Sequence, residues 1–220
     1  MSHRIQRRAF VNVYLVEEDD GLTLVDTSLP GGAQTIVAAA DGLGKPITRI
    51  ALTHAHGDHI GSLDALRGQL PDAEVLISAR DVRLLKKDLS LDEGEEGKIK
   101  GLLPGAKTEP TRLVSDGDTI GSLQVVGSPG HTPGHLAFYD PRDGTLYCGD
   151  VYTSWGGVIA TSAAFNWRFP LALGGTWNRP LDVESARKLR AMDPKALAPG
   201  HGKVIENPGA GMDNAIAKAS

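Results

Sequence analysis

Residues 53 to 62 read THAHGDHIGS, so that His54, His56 and His59 fall within six positions with Asp58 between the last two. At the chain's own histidine and aspartate frequencies, an H-x-H-x-D-H run arises by chance in roughly one such sequence in two thousand. Metal ligation explains the run where packing does not. The preceding stretch ITRIALT (47 to 53) predicts a strand that delivers His54 and His56 to one side of the loop beyond its end, because alternate residues share a face. Asp58 and His59 stand where the next helix should begin and can point back into the same space. Two groups of ligands in one short loop imply two nearby cations. A catalytic zinc takes three protein ligands, so the missing ones must lie downstream. His131 in SPGHTPGH, Asp150 in YCGD and His201 in APGHG are the candidates, each following a strand-like run or turning through Pro and Gly.

The 220 residues suit one sizeable domain, residues 1 to 220, with a buried core. With 40% hydrophobic and 23% charged residues the composition is that of an ordinary globular protein, and no apolar run approaches the ~20 residues that span a bilayer. The start MSHRIQRRAF lacks an apolar segment after its basic residues, so no secretory signal and a cytoplasmic location are expected. His3 is placed in a flexible start. Cys148 is the only cysteine and is expected as a small buried hydrophobe. A net charge of -4 without a Lys/Arg stripe argues against nucleic acid as a partner. Expected instead is a small-molecule substrate, with no membrane partner; a homodimer is compatible with the sequence. The acidic run DEGEEGK (92 to 98) reads as a solvated loop.

Strand character recurs at 10 to 17, 22 to 26, 47 to 53, 73 to 78, 122 to 128, 135 to 140 and 145 to 150, with hairpin turns at Asp20-Gly21 and Asp143-Gly144. Helical patterns fall at about 32 to 40, 58 to 69, 80 to 89 and 182 to 192. Strands mixed with helices predict layered sheets covered by helices. The stretch 151 to 180 has no acidic residue yet holds Trp155, Phe165, Trp167, Phe169 and Trp177. It is either an aromatic cap over a pocket or a loop pinned to the core by its rings.

THAHGDH, SPGHTPGH, CGD and APGHG, in this order and at gaps of 72, 19 and 51 residues, resemble the metallo-β-lactamase-fold hydrolases. The resemblance runs from NVYLVE and LVDTSLP to His201. It implies a four-layer αββα sandwich with a metal site at one edge of two central sheets. One ion would be held by His54, His56 and His131, a second by Asp58, His59 and His201, with Asp150 bridging. Zinc is the expected metal, with iron or manganese as alternatives. Asp150 and the lack of a signal point away from the true β-lactamases of the fold and toward the compact glyoxalase II, lactonase and esterase-like group. The helical glutathione-binding domain of glyoxalase II has no counterpart in this sequence.

Two divalent ions sharing a hydroxide would let it attack the carbonyl carbon of a thioester, lactone or carboxylic ester at neutral pH. Phosphodiester or β-lactam cleavage at the same ions, or mononuclear iron oxygenation, are the alternatives. Asp58 could orient the nucleophile, and Tyr152 could donate to a carbonyl or leaving group. Asp26 and His135 are the candidates for holding the outer nitrogens of ligating imidazoles. Trp155, Phe165, Trp167 and Arg168 are the expected substrate contacts, and Arg168 and Arg179 could clamp a carboxylate.

Overall fold

In a computed structural model that describes residues 1–220 except 9, 168 and 220, the strand-like runs assemble into two large sheets. The first contains β1 (Ser2–Arg7), β2 (Val11–Glu18), β3 (Gly21–Val25), β4 (Ile47–Ala51), β5 (Glu74–Ser78) and β6 (Arg112–Val114), side by side in that order. It is antiparallel from β1 to β3 and parallel from β3 to β6. The second joins β7 (Thr119–Ile120), β8 (Leu123–Gly127), β9 (Leu136–Asp140) and β10 (Thr145–Gly149) as antiparallel neighbours. After a small ribbon of β11 (Tyr152–Thr153) and β12 (Ala160–Thr161), it continues from β10 into the parallel β13 (Ala196–Pro199) and then β14 (Ile205–Glu206).

Side-chain alternation sorts these strands into layers. On β2, Val13 and Leu15 join a cluster with Ile36, Ala40, Leu63 and Leu66, whereas Tyr14 and Val16 meet Phe138, Tyr147 and Ala198 of the opposite sheet. On β10, Tyr147 faces inward while Leu146 and Cys148 pack with Ala186, Leu189, Met212 and Ala215. The first cluster lies under α1 (Ala33–Leu43) and α3 (Leu63–Gln69), and the third under α6 (Arg179–Ala191) and α7 (Gly209–Ala219). Helix, sheet, sheet and helix thus stack in four layers, as expected. Each fully buried Leu or Ile contributes about 1.5–3 kcal/mol. Asn178 starts α6 by accepting the Leu181 N–H at 3.2 Å. No helix of the described residues is long and apolar enough to cross a membrane.

The local expectations fail where tertiary contacts override pattern. His3 is ordered within edge strand β1, its Nε2 2.9 Å from Glu17 Oε1. The helix expected over 58 to 69 is broken into α2 (Gly57–Ile60) and α3. Gly61 packs against Pro30 there, and the Ser62 hydroxyl donates to the Leu29 carbonyl at 2.6 Å. Of the run 80 to 89 only α4 (Val82–Leu85) is helical, and the chain turns at Lys87 with φ 61°. The segment 151 to 180 contains the β11–β12 ribbon, a 3-10 turn at Trp155–Gly157 and α5 (Leu171–Gly175).

Candidate metal centre

The loops that carry the suspected ligands follow the ends of β4, β8, β10 and β13, which places them along one edge of the two sheets. The sheets are tied together at this edge. The Asn12 side chain donates to the carbonyls of Pro199 and Gly202 at 2.9 and 2.8 Å, and the Tyr14 hydroxyl donates to Pro199 at 2.7 Å. Those bonds hold the loop of His201. Gly130, with φ 135°, lets the His131 loop lie against the backbone of Asp182, where a β-carbon would collide.

All seven predicted side chains converge here. His54 Nε2 and His131 Nε2 each stand 3.0 Å from His56 Nδ1. Asp58 Oδ2 is 3.3 Å from His201 Nε2. Asp150 reaches both groups: Oδ1 lies 3.3 Å from His59 Nε2, and Oδ2 lies 3.5 Å from His131 Nε2 and 3.2 Å from His201 Nε2. Three sets, His54–His56–His131, His54–His59–Asp150 and Asp58–His59–His201, each bring their donor atoms within 4.8 Å of one another. All but Asp58 are buried; its side chain remains 29% exposed.

Partners outside the centre fix the imidazole tautomers. His59 Nδ1 donates to Asp26 Oδ2 at 2.8 Å, His201 Nδ1 to the Phe10 carbonyl at 2.8 Å, and His56 Nε2 to the Lys100 carbonyl at 2.9 Å. The Thr53 hydroxyl is committed to Asp26 at 2.8 Å and therefore accepts from His54 Nδ1 at 3.0 Å. Likewise the Thr176 hydroxyl donates to the Ala172 carbonyl at 2.8 Å and accepts from His131 Nδ1 at 3.1 Å. The five remaining ring nitrogens, His54 Nε2, His56 Nδ1, His59 Nε2, His131 Nε2 and His201 Nε2, face inward.

A divalent cation fits this arrangement. A tetrahedral ion with bonds of about 2.0–2.1 Å sets its nitrogens roughly 3.3 Å apart, close to the spacing of the first trio. His59 Nε2 and Asp150 Oδ1 are buried with no hydrogen-bond partner, although they lie 3.3 Å apart, because their alignment is wrong for a bond. Burial, reinforced by neighbouring imidazoles, holds His54 and His131 well below the usual histidine range, and burial also lowers His56. These are neutral rings, the form that ligates. Burial opposes charge on His59 as well, but Asp150, Asp26 and Asp58 outweigh it and raise its pKa well above the usual value. His201, buried too, is raised to about 9 by Asp150 and Asp58. Asp58 and Asp150 are lowered despite burial because His59 and His201 face them. The carboxylates thus favour positive charge in the space where the ring nitrogens meet.

Asp26 stands where expected, at φ 60°, a strained conformation kept by its bonds to the Thr53 N–H at 2.8 Å and to His59. His135 acts one step further out: its Nε2 accepts the backbone N–H of Asp150 at 3.1 Å, and burial lowers its pKa to about 3. Tyr152 is a correction. Its hydroxyl donates to the Ala186 carbonyl at 2.7 Å inside the third cluster, and the residue does not line the cleft above the centre. Its position two residues after Asp150 turns it into the core layer under α6.

That cleft, about 450 Å³, has His56, Asp58, His131, Asp150 and His201 at its floor and Phe10, Leu29, Leu102, Phe169, Pro170 and Leu171 among its walls. Trp155, Phe165 and Trp167, expected as substrate contacts, are not among the lining residues. Phe165 and Trp167 are 73% and 71% exposed, while Trp155 stacks on Phe169 at 5.6 Å and supports the wall from behind. The end of the 151 to 180 segment, from Phe169 to Gly175, supplies the wall instead. Arg179 is exposed at the start of α6 and does not line the cleft. Arg168 lies outside the described residues.

Several participants had no sequence signal read for them, the Thr53 and Thr176 hydroxyls among them. The carbonyls of Phe10 and Lys100 are backbone groups. Leu102 belongs to the strap that follows the acidic run, whose Glu96 carbonyl accepts from Trp177 Nε1 at 3.0 Å. Asp81 joins the two histidine loops, accepting from Ala55 N–H at 3.2 Å, Thr132 Oγ1 at 2.6 Å and Gly134 N–H at 2.7 Å. Burial raises its pKa to about 6.

Known proteins share this architecture. An uncharacterized protein of Bacillus subtilis, YobT, is 47% identical over 211 residues, covering 95% of this chain and 90% of that one. A hydroxyacylglutathione hydrolase of Aeromonas hydrophila is 31% identical over 144 residues, 66% of this chain and 47% of its own, so the chain spans about half the length of this relative. Among solved structures, a di-iron-bound form of TTHA1623 superposes with a TM-score of 0.70 at 26% identity, covering 94% and 96% of the two chains. The B3 metallo-β-lactamase BLEG-1 gives 0.72 at 25%, covering 97% of each. The sequence pattern of the metallo-β-lactamase superfamily matches residues 7–201, and the chain belongs to that superfamily.

Proposed function

We propose that the protein is a dinuclear metal-dependent hydrolase of ester-like carbonyl bonds: thioesters, lactones or carboxylic esters. The observation that carries this reading is the convergence of five inward ring nitrogens and two carboxylates beneath an open cleft. In it, His54, His56 and His131 would hold one ion and Asp58, His59 and His201 the other, with Asp150 placed to serve both. Zinc suits these nitrogen and oxygen donors, and iron is the alternative raised by the di-iron-bound relative. When bound, two divalent ions supply Lewis acidity that acidifies water and polarises a carbonyl.

The chain's own groups do the rest. Asp58 is the one partly exposed member of the seven, and the field of His59 and His201 keeps it a carboxylate. It can therefore accept a hydrogen bond from the attacking water and align it with the carbonyl carbon. The acyl carbon–oxygen or carbon–sulfur bond then breaks, the acid keeps the oxygen of water, and the departing alcohol or thiol receives the proton. His135 fixes the backbone of Asp150, and Asp26 the ring of His59, so donors stay aimed through the cycle.

Protein loaded with zinc or iron and offered aryl esters, thioesters, lactones, penicillins and phosphodiesters should cleave a member of the first three groups. Turnover of phosphodiesters alone would replace this reading with phosphoryl transfer.

A further inference from the structure

The walls of the cleft carry their own chemistry. Phe10, Leu29, Leu102, Phe169, Pro170 and Leu171 come from four separate stretches of chain and line one cavity. Among the described lining residues there is no lysine or arginine, and the only ionisable ones belong to the metal centre. Leu102 and Leu171 are 73% and 70% exposed, large apolar side chains left in water beside the opening. Exposed apolar groups clustered at a cavity mark a binding surface. Behind them the wall is stiff: Phe169 lies 4.5 Å from the ring of His201 and stacks on Trp155, and Phe10 stacks on His201 at 6.2 Å.

We infer that the cleft takes an uncharged ester or thioester whose apolar chain runs along Leu102, Phe169 and Leu171, and that it disfavours substrates with a carboxylate beyond the scissile carbonyl. The bond broken rests on the hydrolase reading above; the class of chain rests on the walls. Each methylene moved from water onto such a surface tightens binding by up to about fourfold. A carboxylate in the same position loses water and meets no cationic partner among the described lining residues, which weakens binding by about tenfold or more. A glutathione thioester, with two carboxylates on its leaving group, is therefore a poor match, whereas a medium-chain acyl ester is a good one.

Methyl ketones from 2-butanone to 2-decanone carry the carbonyl and the chain but no cleavable bond, and their keto-acid counterparts add a terminal carboxylate. Calorimetric titration of the metal-loaded protein should show affinity rising with each methylene until the cleft is filled, and the keto acids binding about tenfold more weakly. Leu102→Asn and Leu171→Asn, both at exposed positions, should flatten the dependence on chain length. Equal affinity along the ketone series, or keto acids binding as tightly as ketones, would overturn the inference. The kcat/KM values of aryl esters from acetate to octanoate separate the two claims. Cleavage indifferent to chain length removes the substrate class and leaves the hydrolase; graded ketone binding without cleavage of any ester removes the hydrolase and leaves the cleft.

Discussion

Gly101 lies directly over the imidazole of His56, at φ 89°, and a β-carbon built on it would collide with that ring. The adjacent Lys100 carbonyl is the group that orients His56 Nε2. Gly101→Ala must therefore shift either the strap or the ring. We predict a loss of metal affinity of about 10–100-fold at one of the two sites, the range seen when ligand-orienting contacts are removed. Competition against a graded chelator measures it, and unchanged affinity would mean that the strap yields freely.

Asp26 holds the ring of His59 through a 2.8 Å hydrogen bond. Asp26→Asn keeps a residue that tolerates the φ of 60° but removes the full charge facing His59 Nδ1. Its expected effect is again about 10–100-fold weaker binding of one ion, with the far-UV spectrum unchanged. Retention of both ions at wild-type affinity would show that the ring is held by packing alone.

Asp81 predicts a pH effect. Asp81→Asn keeps one acceptor oxygen but turns an N–H toward one or two of the three donors, at a cost of about 2 kcal/mol or more and roughly 4–8 °C in Tm for a chain of this size. The folded pKa of about 6 lies above the ordinary carboxylate value, so the native state binds this proton more tightly than the unfolded chain. The stability it contributes is present below pH 4 and is lost as pH rises through 6. In metal-free protein the gap between wild type and variant should accordingly narrow from pH 4 to pH 7. A gap independent of pH would place the cost elsewhere.

Tyr152→Phe removes one buried hydrogen bond to the Ala186 carbonyl. A loss of about 1 kcal/mol in stability is expected, with turnover of any substrate kept within about threefold. A fall of a hundredfold with intact stability would restore the tyrosine to the reaction.

What could be read from the chain follows from how locally each feature is encoded. His54, His56, Asp58 and His59 share one loop, His131 and His201 sit in Pro-Gly turns that advertise rigid backbone, and Asp150 closes a strand-like run, so the seven were legible together. Layered sheets were legible in the strand runs mixed with helical patterns, and the four-layer order in the resemblance carried by THAHGDH, SPGHTPGH, CGD and APGHG; the alternation of Tyr14 and Tyr147 with Val13, Leu15, Leu146 and Cys148 is how the structure builds it. The Phe10 carbonyl that orients His201 was not legible, since it is a main-chain group 191 positions away. Asp81 fell within the run read as helical, and its partners lie in the loops after β4 and β8, which only the assembled sheets bring to it. Trp155, Phe165 and Trp167 drew attention by size, but the wall beside His201 is built by Phe169 and by leucines that no local pattern distinguishes.

The central claim is that five imidazoles and two aspartates hold a pair of cations. Metal content of protein reconstituted with zinc or iron and dialysed to remove loose ions tests it most directly. The account predicts close to two equivalents per chain, falling toward one in Asp58→Ala. One equivalent or none in the intact protein would contradict it.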